Sequence, residues 1–315
     1  MKNKKKKFDF KAFVRKFNRD KELHLMLLIP LIYVLIFSYG PMYGIQIAFR
    51  SYTPVGGITG SEWVGFKWFE RFLSNYRFGE IFGNTILLSF YSLAVGFPLP
   101  IIFALMLNAL KGEKYKKVVQ TVSYIPHFIA VTVMVGIINL LFSPAIGLYG
   151  SIYHLFGGEG LPRDFRATEE AFRHLYVWSG VWQNLGWNSI IYMAALSAVS
   201  PELHEAAQLD GATRVQRMWH VDIPAIAPTI AILLIQRCAT LASVGFEKAY
   251  LLQSNLNLKV SEVISTYVYK EGMSSFTQYS YGAAIGIFNM IINLSLLFVA
   301  NGISKKITEG EVSYF

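Results

Sequence analysis

The chain is short of charge. Asp, Glu, Lys and Arg make up 16% of its 315 residues, while 53% are hydrophobic. A soluble domain carries about 25% charged residues, so an ordinary water-facing globule is excluded by composition. Cysteine is nearly absent, and the single Cys238 excludes a disulfide framework and a cysteine-based metal site. No G-x-x-x-x-G-K-[ST] phosphate loop occurs, and the six His residues are scattered. No Ser–His–Asp set, no D-x-D pair and no His/Cys/Asp/Glu grouping at metal-ligand spacing stands out. The expectation is therefore no catalytic residue, no metal and no cofactor on this chain. An A-x-A-like cleavage site is also missing near the first apolar run, which is expected to stay as a helix rather than leave as a signal peptide.

What the chain does contain is long charge-free runs. His24 to Phe49, Ile81 to Leu110, Val118 to Gly158, His174 to Pro201 and Gly272 to Ser304 carry no Asp, Glu, Lys or Arg, and Ile223 to Phe246 is interrupted only by Arg237. A bilayer core takes a helix of roughly 20 apolar residues. The third run is too long for one span, and Pro144, Gly147 and Gly150 predict a helix end near Phe142 with a surface segment beyond. Six spans follow: Leu25–Ala48, Thr85–Leu110, Thr121–Phe142, Phe172–Leu196, Ala225–Gly245 and Tyr281–Gly302.

Lys and Arg favour cytoplasmic loops. With the N-terminus inside, the inner segments hold the arm through Lys21, then Lys111, Lys114, Lys116 and Lys117, then Arg214 and Arg217, then Lys305 and Lys306. That concentrates most of the basic residues inside, whereas the acidic residues divide evenly between the two faces. The net charge of +9 is thus a topology signal, and no nucleic-acid partner is expected. In the arm, Phe10, Phe13, Val14 and Phe17 alternate with Lys11, Arg15, Lys16 and Arg19, a spacing that predicts a short amphipathic helix on the inner lipid surface.

The loop between the fourth and fifth spans runs from Pro201 to Pro224. Pro201 and Glu202 suit a first helical turn, where a missing N–H costs nothing and an acid meets the positive dipole end. Glu205, Ala206 and Ala207 are good helix formers. Gly211 after Asp210 supplies a turn, a second helical piece runs toward His220, and Pro224 restarts the chain as the fifth span. The result is a helix–turn–helix elbow with Met218 and Trp219 as an apolar knob.

This stretch resembles the EAA loop of ABC importer permeases: Glu205-Ala206-Ala207, then Asp210-Gly211-Ala212, an aromatic at Trp219 and the closing Pro224. The resemblance covers roughly Leu25 to Gly302 and is strongest to the branch that takes up complex oligo- and polysaccharides, notably around Gly245-Phe246-Glu247. It implies an all-α integral membrane protein of the MetI-like, type I importer kind. A basic arm occupies 1–22, a permease domain 23–303 with its coupling loop at 200–224, and a cytoplasmic tail 304–315. It also implies that the elbow docks on a cytoplasmic ATPase, with Glu205 orienting the loop, Gly211 making the turn, and Met218 and Trp219 filling a cleft. ATP and Mg would then belong to two partner ATPase subunits. A second, different permease would complete the pore, an extracellular or periplasmic binding protein would deliver carbohydrate, and the setting is the plasma membrane of a bacterium with both termini cytoplasmic. The outer loop after the third span is short, so the large extracellular domain of some maltose-type permeases is absent.

Polar residues inside spans are costly and face an interior or a wet path. Gln183, Asn184, Trp187 and Asn188 share one face of the fourth span. They either line a sugar path, Trp187 stacking on a ring and the amides binding hydroxyls, or tie helices together. Asn289 and Asn293 in the sixth span stay open between the same readings, while Gly282 and Gly286 suit close helix packing. Arg237 is expected near mid-depth, either bonding carbonyls at a helix break or contacting substrate. Glu247, just outside, either pairs with Lys248 or gates the entry. Tyr267, Tyr269, Tyr279 and Tyr281 read as an interfacial belt. Competing readings are the same fold with a peptide, amino-acid or anionic cargo, an ion-coupled secondary carrier, for which no internal repeat is found, and a membrane glycosyltransferase.

Overall fold

The computed structural model describes residues 19–110, 112–272 and 278–307. The amphipathic helix expected around Phe10, Phe13, Val14 and Phe17, and the tail after residue 307, lie outside the described residues. The first apolar run folds as α1 (Lys21–Val34), which continues through Leu35–Tyr39 and Gly40–Phe49 in π and 3-10 geometry. An antiparallel ribbon, β1 (Arg50–Thr53) and β2 (Ser61–Trp63), follows. Next come α2 (Lys67–Leu73), α3 (Phe78–Gly96) and α4 (Pro98–Asn108), then α5 (Glu113–Tyr124), α6 (Val131–Leu141) and α7 (Leu148–Leu155). The long α8 (Glu169–Ser197) leads to α9 (Pro201–Leu209), α10 (Arg214–Arg217) and α11 (Ile223–Cys238). The chain ends through α12 (Phe246–Leu252), α13 (Ile264–Gly272) and α14 (Tyr279–Ile307).

Four stretches are long and apolar enough to cross a bilayer: Lys21–Phe49, Phe78–Asn108, Arg214–Cys238 and Tyr279–Lys306. The bent pair Glu113–Phe128 and Val131–Leu141 makes a fifth if it counts as one span. α8, at 29 residues, is about 43 Å long at 1.5 Å per residue, but Gln183, Asn184 and Asn188 keep it less apolar. No α1 residue is buried, although Leu25, Met26, Leu27 and Ile29 lie on it. Such an exposed leucine-rich helix is at home in lipid, where only internally bonded backbone is tolerated.

The spans are less regular than their apolar runs predict. The second begins at Phe78 rather than Thr85 and is interrupted at Phe97, because Pro98 lacks the N–H to continue the ladder. The third is not one helix over Thr121–Phe142. It bends by 100° at a 3-10 turn, Ile125–Phe128, that contains Pro126. The fifth stops at Cys238, short of Gly245, and the chain re-enters a helix only at α12. The end of α6 at Leu141 agrees with the expected stop near Phe142.

At one end of the bundle, Ala104 and Leu105 of α4, Tyr192 and Leu196 of α8, and Ile226 of α11 form a buried cluster beneath the α9–α10 elbow. At the other end, Trp68, Phe72, Ile81, Tyr267, Tyr281 and Ile285 pack together. Tyr267 and Tyr281 are therefore core residues rather than part of an interfacial belt. Their hydroxyls lie 3.1 Å apart, and Asn75 donates to Tyr267 at 2.8 Å, which is how a buried phenol is satisfied. The same end holds a buried carboxylate, Glu262, paired with Arg77 and, at 3.3 Å, with Lys270. In the loop before α8, hydrogen bonds from Arg166 hold the Asp164 carboxyl below the usual carboxylate range.

Close helix contact depends on two glycines. A Cβ on Gly186 of α8 would fall 2.3 Å from the Ser123 carbonyl oxygen of α5, and one on Gly282 would lie 3.3 Å from Gly272 Cα. Gly286, by contrast, has open space around it, so only Gly282 of that pair serves packing. Gly186→Val is expected to lower the melting temperature in detergent by several degrees, because overpacking a fitted contact costs about 1–3 kcal/mol. Gly136→Ala in α6, where a Cβ meets nothing within 4 Å, is expected to leave it unchanged or raise it. Thermal unfolding of both purified variants checks this.

Candidate functional site: a cationic cavity and an elbow

A cavity of about 840 Å³ opens between α3, α4, α8 and α11. Its wall includes Gln183, Asn184, Trp187 and Asn188 of α8 and Arg237 of α11, so five of the residues singled out in the sequence meet in one place. Lys248 of α12 joins them, and no Asp or Glu lies in the wall among the described residues. Glu247 is exposed and is not part of this wall. Lys248 instead donates to the Tyr176 carbonyl and sits 4.6 Å from the centre of the Tyr176 ring. In the sequence Lys248 was legible only as a partner for Glu247, because α12 was not foreseen.

The polar residues of the wall divide by what they already bond. Gln183 donates 2.7 Å to the Ile129 carbonyl, which the bend between α5 and α6 leaves without a helical partner. Asn184 donates 3.0 Å to the Gly180 carbonyl and lies 2.9 Å from His127 Nδ1. The His127 ring stacks on Trp187, centroids 4.3 Å apart and 5° from parallel. One Trp187 face is thus taken by the bend, and His127 is a neighbour that the sequence did not single out. Asn188 is exposed in the wall.

Arg237 is the next-to-last residue of α11. The adjoining Cys238 and Ile235 pack with Leu93, midway along Phe78–Asn108, and with Leu297 and Ala300 of α14. The helix therefore ends deep in the bundle, and the freed backbone is met by Asn293. Its Oδ1 accepts from Ala242 N–H at 2.8 Å, and its Nδ2 donates to Ser243 Oγ at 2.9 Å. Asn293 is thus a tie between helices. Asn289, one turn away, is not in the cavity wall and leaves its buried Oδ1 without a partner. Since Asn293 and not Arg237 satisfies the break, the Arg237 side chain makes no hydrogen bond or ion pair among the described residues and stands exposed to the cavity.

The elbow forms as its sequence dictates. Ser200 Oγ accepts from Glu202 N–H at 3.3 Å to cap α9. At the other end, Gly211 N–H donates to the Gln208 carbonyl at 3.0 Å and Ala212 N–H to Ala207 at 2.9 Å. That bond pair is a Schellman stop, and it needs Gly211 at φ +79°. Thr213 and Gln216 make a capping box that starts α10. Glu205, Ala206 and Asp210 are exposed, and Ala207 is half-buried. Met218 turns inward onto the cluster of Ala104, Leu105 and Ile226, so it is not part of an outward knob. Trp219, one residue and about 100° further on, is 64% exposed, and Leu209 at the tip is 90% exposed. Leu209 was legible only as an apolar residue beside the turn. Ile223-Pro224 begins α11, with Pro224 where its missing N–H costs nothing.

A lipid-facing bundle, a cationic cavity between broken helices and a capped elbow at one end define a membrane transport permease. Residues 96–309 match the family described as binding-protein-dependent transport system inner membrane component, and the chain belongs to that family. It is 42% identical to the polygalacturonan/rhamnogalacturonan transport system permease protein YteP of Bacillus subtilis (strain 168), over 96% of this chain and 94% of that one. Protein LplB of the same organism is 41% identical over 91% and 90%. Among solved structures, a chain of a bacterial alginate ABC transporter in complex with alginate pentasaccharide-bound periplasmic protein matches with a TM-score of 0.85 and 37% identity, covering 95% of this chain and 99% of that one. The chain is a non-enzymatic subunit of an ABC transporter in a bacterial membrane, and its family implies membrane-embedded partner subunits and a solute-binding protein.

Asn293→Leu is expected to destabilise the protein by about 1–3 kcal/mol, the cost of orphaning a buried donor. Asn289→Leu, which removes an atom with no partner, is expected to be near neutral. Thermal unfolding in detergent distinguishes them.

Proposed function

We propose that this chain forms half of the translocation path of an importer for oligo- or polysaccharides that carry carboxylates. Six spans cross the membrane, α8 and the bent α5–α6 pair included, with both termini and the elbow on the cytoplasmic side. A second, different permease completes the path, two ATPase subunits drive it, and a binding protein delivers cargo at the opposite end. The observation that carries the cargo reading is the unpaired Arg237 in a wall with no acid among the described residues; Lys248 beside it is buried and spent on the Tyr176 carbonyl. A guanidinium with no partner in the chain is suited to bind a carboxylate in bidentate fashion. Trp187 leaves one face for the C–H face of a sugar ring, and Asn188 is exposed for a hydroxyl. The relatives point the same way: one is named for polygalacturonan and rhamnogalacturonan, and a matching structure concerns import of the acidic polysaccharide alginate.

For coupling, Trp219 and Leu209 offer exposed apolar contact on the same elbow as Glu205, whose side chain is exposed and makes no hydrogen bond or ion pair among the described residues. An ATPase that grips these residues pulls the elbow, and the spans rock between outward- and inward-open arrangements.

Uptake in proteoliposomes tests the cargo. Arg237→Gln is expected to lower uptake of an oligogalacturonate about tenfold or more, the effect of losing about 1.4 kcal/mol of binding, and to spare a neutral oligosaccharide if one is carried. Equal uptake of acidic and neutral oligosaccharides, with Arg237→Gln silent, would contradict the carboxylate reading. Trp219→Ala is expected to reduce co-purification of the ATPase and to lower uptake in parallel, measured on the detergent-extracted complex and in vesicles.

A further inference from the structure

The elbow has two arms that join different spans. α9 continues from α8, whereas α10 and the π-helical turn Met218–Asp222 lead into α11. α9 buries none of its residues, so packing alone holds it weakly to the bundle. Across the turn, His204 Nε2 of α9 lies 3.2 Å from Asp222 Oδ1, whose side chain is 6% exposed. A carboxylate so buried is costly unless paired, and the groups positioned to offset it are the His204 ring, a cation only when protonated, and Arg217. An apolar residue at position 222 would bury without that cost, so stability alone does not account for the acid.

We propose that His204 and Asp222 form a clasp that joins the two arms of the elbow into one lever, so that a pull on it reaches α8 and α11 together. The clasp is a positioning device. It touches neither cargo nor ATP, and it closes the elbow against the hinge that Gly211 would otherwise be. α8 and α11 together supply most of the polar cavity wall, including Gln183, Asn188 and Arg237, so moving them as a unit carries the whole binding face at once. This inference rests on the coupling role proposed for the elbow.

The test uses the complete transporter, with both permeases, the ATPase subunits and the loaded binding protein, in proteoliposomes. His204→Ala is expected to keep the ATPase bound and hydrolysing while uptake per ATP falls about fivefold or more, the scale of a typical coupling between sites. The exchanged pair, His204→Asp with Asp222→His, is expected to recover much of that loss. In a Cys238→Ser background, His204→Cys with Asp222→Cys bridged by a short thiol-reactive cross-linker is expected to transport as well as wild type. Uptake blocked by the bridge would overturn the proposal, since the arms would then have to move against each other. Unchanged uptake per ATP in His204→Ala, or loss of ATPase binding in that variant, would overturn it too. Failure of the coupling reading itself has a separate signature: Trp219→Ala would leave ATPase binding and uptake intact.

Discussion

In lipid, a backbone N–H or C=O that loses its helical partner has no water to turn to. That constraint organises this molecule. At two of the breaks within the bundle, one between α5 and α6 and one after α11, a neighbouring amide supplies the missing partner. Gln183 meets the Ile129 carbonyl, and Asn293 meets the Ala242 N–H. The breaks give the cavity its irregular walls, and the amides that mend them fix where those walls stand. Arg237, at the very end of α11, is released from this duty by Asn293, and so its charge is available to whatever enters.

The same division explains how an apolar protein holds a cavity with a polar wall. Polar side chains in the spans divide into those spent on backbone, Gln183 and Asn293, and those left facing the cavity, Asn188 and Arg237. Asn184 belongs to both groups, and Trp187 lines the cavity while stacking on the His127 ring. A cavity built in this manner changes shape when the bend in the third span changes, because the wall residues Gln183, Asn184 and Trp187 are each in contact with the bend. Motion at the elbow, which adjoins the ends of α4, α8 and α11, therefore has a short mechanical route to the cavity.

Much of this was legible in the sequence. Charge-free runs located the helices, and the ends of α8 and α14 fall within a few residues of the expected ones because nothing interrupts them, whereas the first run leaves α geometry after Val34. The elbow was legible from Pro201, Gly211 and Pro224, local signals that need no tertiary partner, while the caps at Ser200 and Thr213 emerged with the structure. Breaks were harder. Pro98 and Pro126 were visible, but a proline in an apolar run states only that the ladder is interrupted, not whether the chain continues straight or turns by 100°. The stop at Cys238 has no local signal at all, being fixed by Asn293 more than 50 residues away in sequence. Met218 was misplaced for a related reason: beside Trp219 it reads as half of an apolar knob, and only the cluster under the elbow decides which of two adjacent residues turns inward. Lys248 and His127 depended on the same breaks and were not foreseen as neighbours of the cavity.

The central claim is that the elbow end faces a cytoplasmic ATPase while the cavity receives cargo from the opposite end. Site-specific photo-cross-linking in intact cells tests both halves together, with the reactive group placed at position 209 or 219 on the elbow, or at position 76 near the far end. The account predicts an adduct with an ATP-hydrolysing subunit from positions 209 and 219 and none from 76. Adducts with that subunit from position 76, or none from the elbow in a cell that carries out the transport, would contradict it.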